Sequence, residues 1–341
     1  MPHSNCSACL PPTTSFSSRP IGTLETLACM LKHPVAQLDY IAATADQRYR
    51  IGKQERKKDG SVRTCYDALG DLKSIQARIQ CLILNKVHYP LYLQGSIKDP
   101  VSPRGQKSNA EQHTRKRTLI TEDIKQFFPS VRRDVVFDIW HRFFGLPPAV
   151  AEVLTKLTTK DGRLPQGAKT SALIANLVFW DAEWLLVADF HKRGITYSRL
   201  IDDITCSSDA ALSRELKTYI IDRLHAMVRR KGLRLNTDKQ TITSSHERQV
   251  STKLVVNRKT SLPAERRSAI RAAVWALQNT PVDARETELY GKNYRRVSGL
   301  VSYLQQHHPR EASQLRAIVR SLPAPLARAG DRFRIFGLSN S

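Results

Sequence analysis

The chain has 341 residues, room for two or three subdomains at the usual span of about 100–200 residues each. Its 54 Lys and Arg against 31 Asp and Glu leave a net charge of +23, an excess that gathers polyanions and makes nucleic acid the expected partner. No apolar run reaches the 18 or so residues of a spanning helix, since the greasiest stretch, 172–180, stops at Asp181; this argues against a membrane protein and for a cytoplasmic one.

Residues 1–22 read as a flexible tail, because MPHSNCSACLPPTTSFSSRP lacks the basic start and long apolar centre of a signal peptide. Of six cysteines only Cys6 and Cys9 form a CxxC pair, short of a four-ligand zinc site, so the thiols are read as reduced and mostly buried. Apolar residues at helical spacing over 24–48, interrupted by Pro34, predict two helices. YRIGKQERKKDGSVRTCY (49–66) alternates like a β-hairpin around Asp59-Gly60 and carries Lys53, Arg56, Lys57, Lys58 and Arg63. Such a run is a solvated face or a compact set of phosphate donors. An amphipathic helix is expected over 71–87 and a polar loop over 95–113.

LITEDIKQFFPSV (119–131) starts as a buried strand and stops at Pro129, with helices expected over 134–144 and 148–155. After Leu164-Pro165-Gln166-Gly167, Thr170 or Ser171 reads as the N-cap of one long buried helix reaching Phe190. A further amphipathic helix spans 212–231 and ends at Gly232; a strand over 233–242 includes Lys239. A short strand pair follows over 253–262, and Pro263 then opens a helix with Ile270, Val274 and Leu277 inward and Arg266, Arg267 and Arg271 outward. The charge is clustered, since 248–296 holds eleven Lys or Arg against four acids.

YSRLIDDITCSS (197–208) sets Asp202 and Asp203 side by side in an otherwise apolar strand-turn-strand. Adjacent carboxylates repel; they belong either at a hairpin tip in water or around cations. A third carboxylate, Asp123, stands in an earlier strand ahead of Phe127 and Phe128.

In order and spacing, DIKQFFPSV (123–131), LPQGAKTS (164–171), LIDDITCSS (200–208), GLRLNTDKQTI (232–242) and KLVVNRKTSLP (253–263) resemble the successive motifs of bacterial reverse transcriptases. SNAEQH (108–113) and GLVSYLQQHHP (299–309) narrow the resemblance to the retron type. It implies an α+β, right-hand polymerase fold. N-terminal helices and fingers would occupy 23–118. A palm of antiparallel sheet plus helices would occupy 119–250, with an inserted fingers segment at about 134–165. The palm–thumb junction and a basic helical thumb would occupy 251–325, before a tail at 326–341.

By the same resemblance Asp123, Asp202 and Asp203 are catalytic and, with the backbone carbonyl of Ile124, hold two Mg²⁺ ions, with Mn²⁺ as a substitute. Phe128 matches the aromatic that selects deoxynucleotides, against plain core packing; Gln166 and Gly167 match the turn beside the incoming nucleotide, against a loop before a capped helix. Lys57 and Arg63 resemble the residues that grip the triphosphate of a dNTP, and Lys239 the lysine near the leaving group, against a strand-edge lysine. Arg266, Arg267 and Arg271 would follow the duplex, against a solvated helix face.

The implied function is a retron RNA-directed DNA polymerase that copies a structured non-coding RNA into RNA-linked single-stranded DNA (msDNA), starting from a 2′ hydroxyl. An effector protein of antiphage defence would be its partner. Nothing after the thumb has room for an RNase H domain, so host RNase H is expected to trim the RNA. The alternatives are a catalytically weak nucleic-acid-binding scaffold, and a stand-alone defence or intron-derived reverse transcriptase without retron RNA. The chain departs from the family pattern at Leu200-Ile201, where an aromatic and alanine are usual, at Lys169 in place of proline, and at 250–257, which lacks a glycine.

Overall fold

The two helices expected before residue 48 form on either side of Pro34, as α1 (Leu24–Leu31) and α2 (Val35–Ala43), in a computed structural model that describes residues 13–17, 21–56, 60 and 62–324. Cys6, Cys9 and Lys57 lie outside the described residues, as does the C-terminal tail. The chain divides between Thr252 and Lys253 into two compact units.

In the first unit β1 (Tyr49–Arg56) and β2 (Val62–Ala68) pair as the expected antiparallel hairpin, followed by α3 (Gly70–Leu82). The helix stops short of the predicted residue 87, giving way to a 3-10 turn at Leu84–Lys86. The polar stretch 95–113 is not all loop: it contains α4 (Gln106–Glu111), with Asn109 and His113 fully buried. Next come β3 (Thr118–Asp123), α5 (Phe127–Ser130), α6 (Arg133–Asp138), a π-helical turn at Ile139–Phe143 and α7 (Pro148–Thr158).

The single long helix expected to reach Phe190 is two, α8 (Ser171–Leu177) and α9 (Glu183–Lys192), and neither Thr170 nor Ser171 caps the first with its hydroxyl. β4 (Ile195–Leu200) and β5 (Asp203–Ser208) follow, then α10 (Arg214–Arg230), capped by Ser213 and closed by Gly232 at φ +71°. The strand expected over 233–242 is mostly irregular. Lys239 sits in a 3-10 turn (Thr237–Lys239), and only β6 (Thr241–Ser244) is extended.

These strands make a four-stranded antiparallel sheet in the order β4-β5-β3-β6. Alternation gives it two unlike buried faces. Ile195, Tyr197, Ile204 and Cys206 join the apolar core, while Ser198, Thr205 and Ser207 are buried although polar. The SNAEQH segment satisfies that second face: the two ring nitrogens of His113 lie 2.7 Å from the hydroxyls of Ser198 and Ser207, and Asn109 donates to Ser251 at 3.4 Å. Burial drives the His113 ring down to about 3, so it is neutral there.

The thiols are free but not mostly buried, as the sequence had suggested: Cys29 and Cys81 are exposed, Cys65 is half-buried, and Cys206 alone of the described cysteines is buried.

In the second unit α11 (Ala264–Gln278), α12 (Glu288–Gln305) and α13 (Pro309–Ser321) pack pairwise around Ile270, Val274, Leu277, Val297, Val301, Leu304, Leu315 and Val319. Among the described residues no helix is long and apolar enough to cross a membrane.

Candidate active site

Register brings the three carboxylates together. Asp123, the last residue of β3, pairs with Asp203, the first of β5, and the N–H of Ile124 donates to the carbonyl of Asp202 at 3.0 Å. The N–H of Asn236 donates to the carbonyl of Asp123 at 2.7 Å, so the loop after α10 closes the other side. Ile201 and Asp202 form the turn between β4 and β5, with Ile201 at φ +60°. A β-branched residue in the left-handed region costs about 1–3 kcal/mol and persists only where its surroundings hold it.

Asp123 and Asp202 open into a cleft of ≈ 380 Å³ also lined by Arg63, Gln126, Phe128, Gln166 and Lys239. Lys239 Nζ sits 2.9 Å from Asp123 Oδ2. Burial holds the Asp202 carboxyl above the usual range; the Asp123 charge adds to the rise, and Arg63 and Lys239 oppose it. The hydrogen bond to Asp123 raises Lys239, and the charges of Asp203 and Asp202 raise it further. The site is a surplus of negative charge that draws cations.

The two phenylalanines part company. Phe127 is buried and stacks on Phe179 at 6.1 Å, whereas Phe128 is half-buried, packed against the core on one side and lining the cleft on the other. Gly167 (φ +103°) docks the 164–167 turn on the basic hairpin: a Cβ there would fall 2.7 Å from the Tyr66 carbonyl, and the Tyr66 N–H donates to the Gln166 carbonyl at 2.7 Å. Arg63, on β2, reaches the same cleft.

The arginines of α11 lie in the second unit. Arg267 and Arg271 pair with Glu311 of α13 at 2.8 and 2.6 Å, so they are not simply solvated, and Arg266 is exposed.

The donor set suits Mg²⁺, which takes oxygen ligands and usually keeps waters and substrate phosphates in its shell. Among the described residues no three His, Cys, Asp or Glu side chains close into a ready metal cage. Two carboxylates at the mouth of a cleft, one destabilised by burial and further by its neighbour's charge, fit an ion whose shell the substrate completes.

Three further residues escaped the sequence reading. Arg199 and Glu183 form a fully buried ion pair beneath the acidic turn, and Gly95 leaves the space that Ile201 fills: a Cβ on Gly95 would lie 2.4 Å from Ile201 Cγ1. A charged residue three positions before Asp202, in an otherwise uncharged strand, was the available signal for Arg199.

Residues 55–273 match the family model described as reverse transcriptase (RNA-dependent DNA polymerase). The chain is 36% identical over 313 residues to the Retron Se72 reverse transcriptase of Salmonella heidelberg (strain 579083-10), covering 90% of this chain and 81% of that protein. It is 31% identical to the Retron Ec48 reverse transcriptase of Escherichia coli, with 85% and 73% covered. The Retron Ec86 reverse transcriptase of Escherichia coli follows at 29%, with 74% and 78% covered. The match spans the acidic sheet, the basic hairpin and the start of the second unit, and the chain belongs to the reverse transcriptase family, in its retron branch, as an RNA-directed DNA polymerase.

Proposed function

We propose that the enzyme copies a structured non-coding RNA into msDNA by two-metal nucleotidyl transfer at Asp123, Asp202 and Asp203. The observation that carries this is the β3–β5 register, which sets Asp123 against Asp203 and opens Asp123 and Asp202 into one cleft with Lys239, Arg63, Phe128 and Gln166. The four-stranded sheet with α8 to α10 is the palm, the β1–β2 hairpin belongs to the fingers, and the three-helix second unit is the thumb.

Each side chain then has a task. Asp123 and Asp202, with the Ile124 carbonyl, would hold two divalent ions, Mg²⁺ or Mn²⁺; Asp203 adds its charge to the same site. When bound, such ions activate the attacking hydroxyl and neutralise the leaving pyrophosphate. Lys239, whose proton the three carboxylates hold, meets charge developing on the leaving group. Arg63 offers the triphosphate a planar fork of donors, joined by Lys57. Phe128 fills the space a 2′ hydroxyl would need, and the Gln166-Gly167 turn bears on the base being paired. Arg266 contacts the duplex, while Arg267 and Arg271 order the helix that presents it through Glu311.

The protein works in the cytoplasm, where its thiols stay reduced, with an effector of phage defence as partner and host RNase H to trim the template. Charge alone gives binding that fades steeply with salt, by about −0.7 to −0.9 in log–log slope per phosphate neutralised. Folded RNA read by shape survives salt better. The test is purification at high salt after expression with the native flanking DNA. One discrete RNA joined to a short DNA, parted by debranching enzyme, is expected. Heterogeneous RNA that washes away would overturn the retron RNA assignment and leave the polymerase standing.

A further inference from the structure

Arg199 has no exposed surface, and every donor direction of its guanidinium is used. Nε and Nη2 donate to the two carboxylate oxygens of Glu183 at 2.6 and 2.8 Å, and Nη1 donates to the carbonyl of Ile201 at 3.0 Å. Nη2 also donates to the Asn176 carbonyl at 3.0 Å and Nη1 to that of Ala175 at 3.4 Å, while the cation lies over the Phe179 ring, 5.2 Å from its centroid.

The surroundings explain how so buried a charge is sustained. Ala175 and Asn176 lie in the last turn of α8, where carbonyls lack the usual donor four residues on; that of Ala175 also accepts from the Val178 N–H at 3.4 Å. Glu183 opens α9, where the helix dipole favours a carboxylate. The main chain of Arg199 is pinned as well, its N–H donating to Tyr92 at 2.8 Å and its carbonyl accepting from Gln94 at 2.9 Å. Asn176 Nδ2 donates to the carbonyl of Gly95 at 2.7 Å, which sets that glycine against the Ile201 side chain. Ile201 is therefore gripped twice, by its carbonyl and by its side chain, in a backbone conformation it would otherwise leave. The next residue is Asp202.

A buried ion pair is a poor way to gain stability, since apolar residues of like volume commonly serve as well or better. What apolar residues cannot supply is a donor to the Ile201 carbonyl. We propose that Arg199 is a positioning residue of the polymerase site: its guanidinium, held by Glu183, fixes the Ile201 carbonyl and so the direction in which the turn presents Asp202 and Asp203. This rests on the reading of those aspartates as metal ligands.

The test compares full-length wild type with Asp202→Asn, Arg199→Lys and the paired replacement Arg199→Met with Glu183→Leu. Primer extension, Mg²⁺ titration and thermal melting are read for each. The paired variant should melt below wild type, because it leaves the Tyr197 hydroxyl and the Ile201 and Asn176 carbonyls without their partners, and, where it stays folded at the assay temperature, should lose about 10- to 100-fold in kcat, as small misplacements at reacting centres do. It should also need several-fold more Mg²⁺, with the dNTP KM little changed. A folded paired variant with wild-type kcat and Mg²⁺ requirement overturns the proposal. Should that variant not fold, Arg199→Lys decides on the same readings, because lysine keeps the charge on Glu183 but has no planar fork. Extension by Asp202→Asn would bring down the ligand assignment instead, whatever Arg199 does.

Discussion

The two hairpins of the first unit bear opposite charge and are built in opposite ways. β4–β5, which carries Asp202 and Asp203, is covered on both faces, by an apolar core with the Arg199–Glu183 pair on one side and by the His113 hydrogen bonds on the other. In β1–β2, which carries Arg63, the first strand is exposed along nearly its whole length and the second is exposed at Val62 and Arg63 and half-buried over 64–67, with Ile51 and Val62 each 58% exposed. It is held near its base, where Gln76 donates to the Tyr49 hydroxyl at 2.7 Å and Lys73 pairs with Asp67 at 2.8 Å, and at Tyr66, which meets Gln166 and lies under the Lys160 cation. Few buried contacts mean low local stability. On the proposed reading, the carboxylates that would hold ions in a fixed geometry stand on the overdetermined hairpin, and the donors that would close on an arriving triphosphate stand on the yielding one.

The largest effect should come from the rigid side. Asp202→Asn removes a proposed ligand without removing a phosphate contact, so primer extension should fall by about a thousandfold or more, while RNA retention in a filter-binding assay stays near wild type. Loss of both together would mean that the turn, not the ligand, had failed.

Next comes the point where the yielding hairpin is docked. Gly167→Ala puts a side chain on a residue at φ +103° and within 2.7 Å of the Tyr66 carbonyl. Strain of about 1–3 kcal/mol falls on that junction, and the dNTP KM should rise about tenfold with a smaller change in kcat, since only substrate binding is weakened. A proportionate loss of kcat would show instead that the turn supports the acidic sheet. Phe128→Ala should act more narrowly, raising incorporation of ribonucleotides by about 10-fold or more while dNTP use changes little. Unaltered discrimination would return Phe128 to core packing.

What was legible in the sequence follows the range of the forces involved. Local signals sufficed for α10, with its Ser213 cap and Gly232 stop, and for the alternation that makes β3, β4 and β5 strands with aspartates at their ends. The break between α8 and α9 was hidden, because 172–180 is apolar but for Asn176 and holds no Gly or Pro to end a helix. What holds that break is an ion pair with a residue 16 positions further on. α4 looked like loop because Gln106 and Asn109 spend their side chains on hydrogen bonds to partners 146 and 142 positions away. Lys239 looked like a strand residue, yet its hydrogen bond to Asp123, 116 positions back, belongs to the cleft. Nor does any local preference put Ile201 at positive φ; only the Arg199 donor and the space at Gly95 make that conformation tenable.

The smallest expected effect lies under the rigid hairpin and reads out as pH dependence. His113, held by Ser198 and Ser207, is pushed down to about 3 by burial, and the Lys116 charge pushes the same way; the unfolded chain titrates at 6.5. A group depressed on folding stabilises the protein fully above its unfolded value, because both states are then neutral. As pH falls below 6.5 the unfolded state takes up a proton that the folded state refuses. The fold then loses about 1.4 kcal/mol per pH unit on the way down towards 3. His113→Gln keeps a donor and an acceptor for the two hydroxyls but cannot titrate, so it should cost some stability at pH 8 and flatten the decline between pH 6.5 and 5. Melting temperatures of both proteins across that interval check the sign. Parallel curves would place the proton elsewhere and leave the face of Ser198 and Ser207 a matter of packing alone.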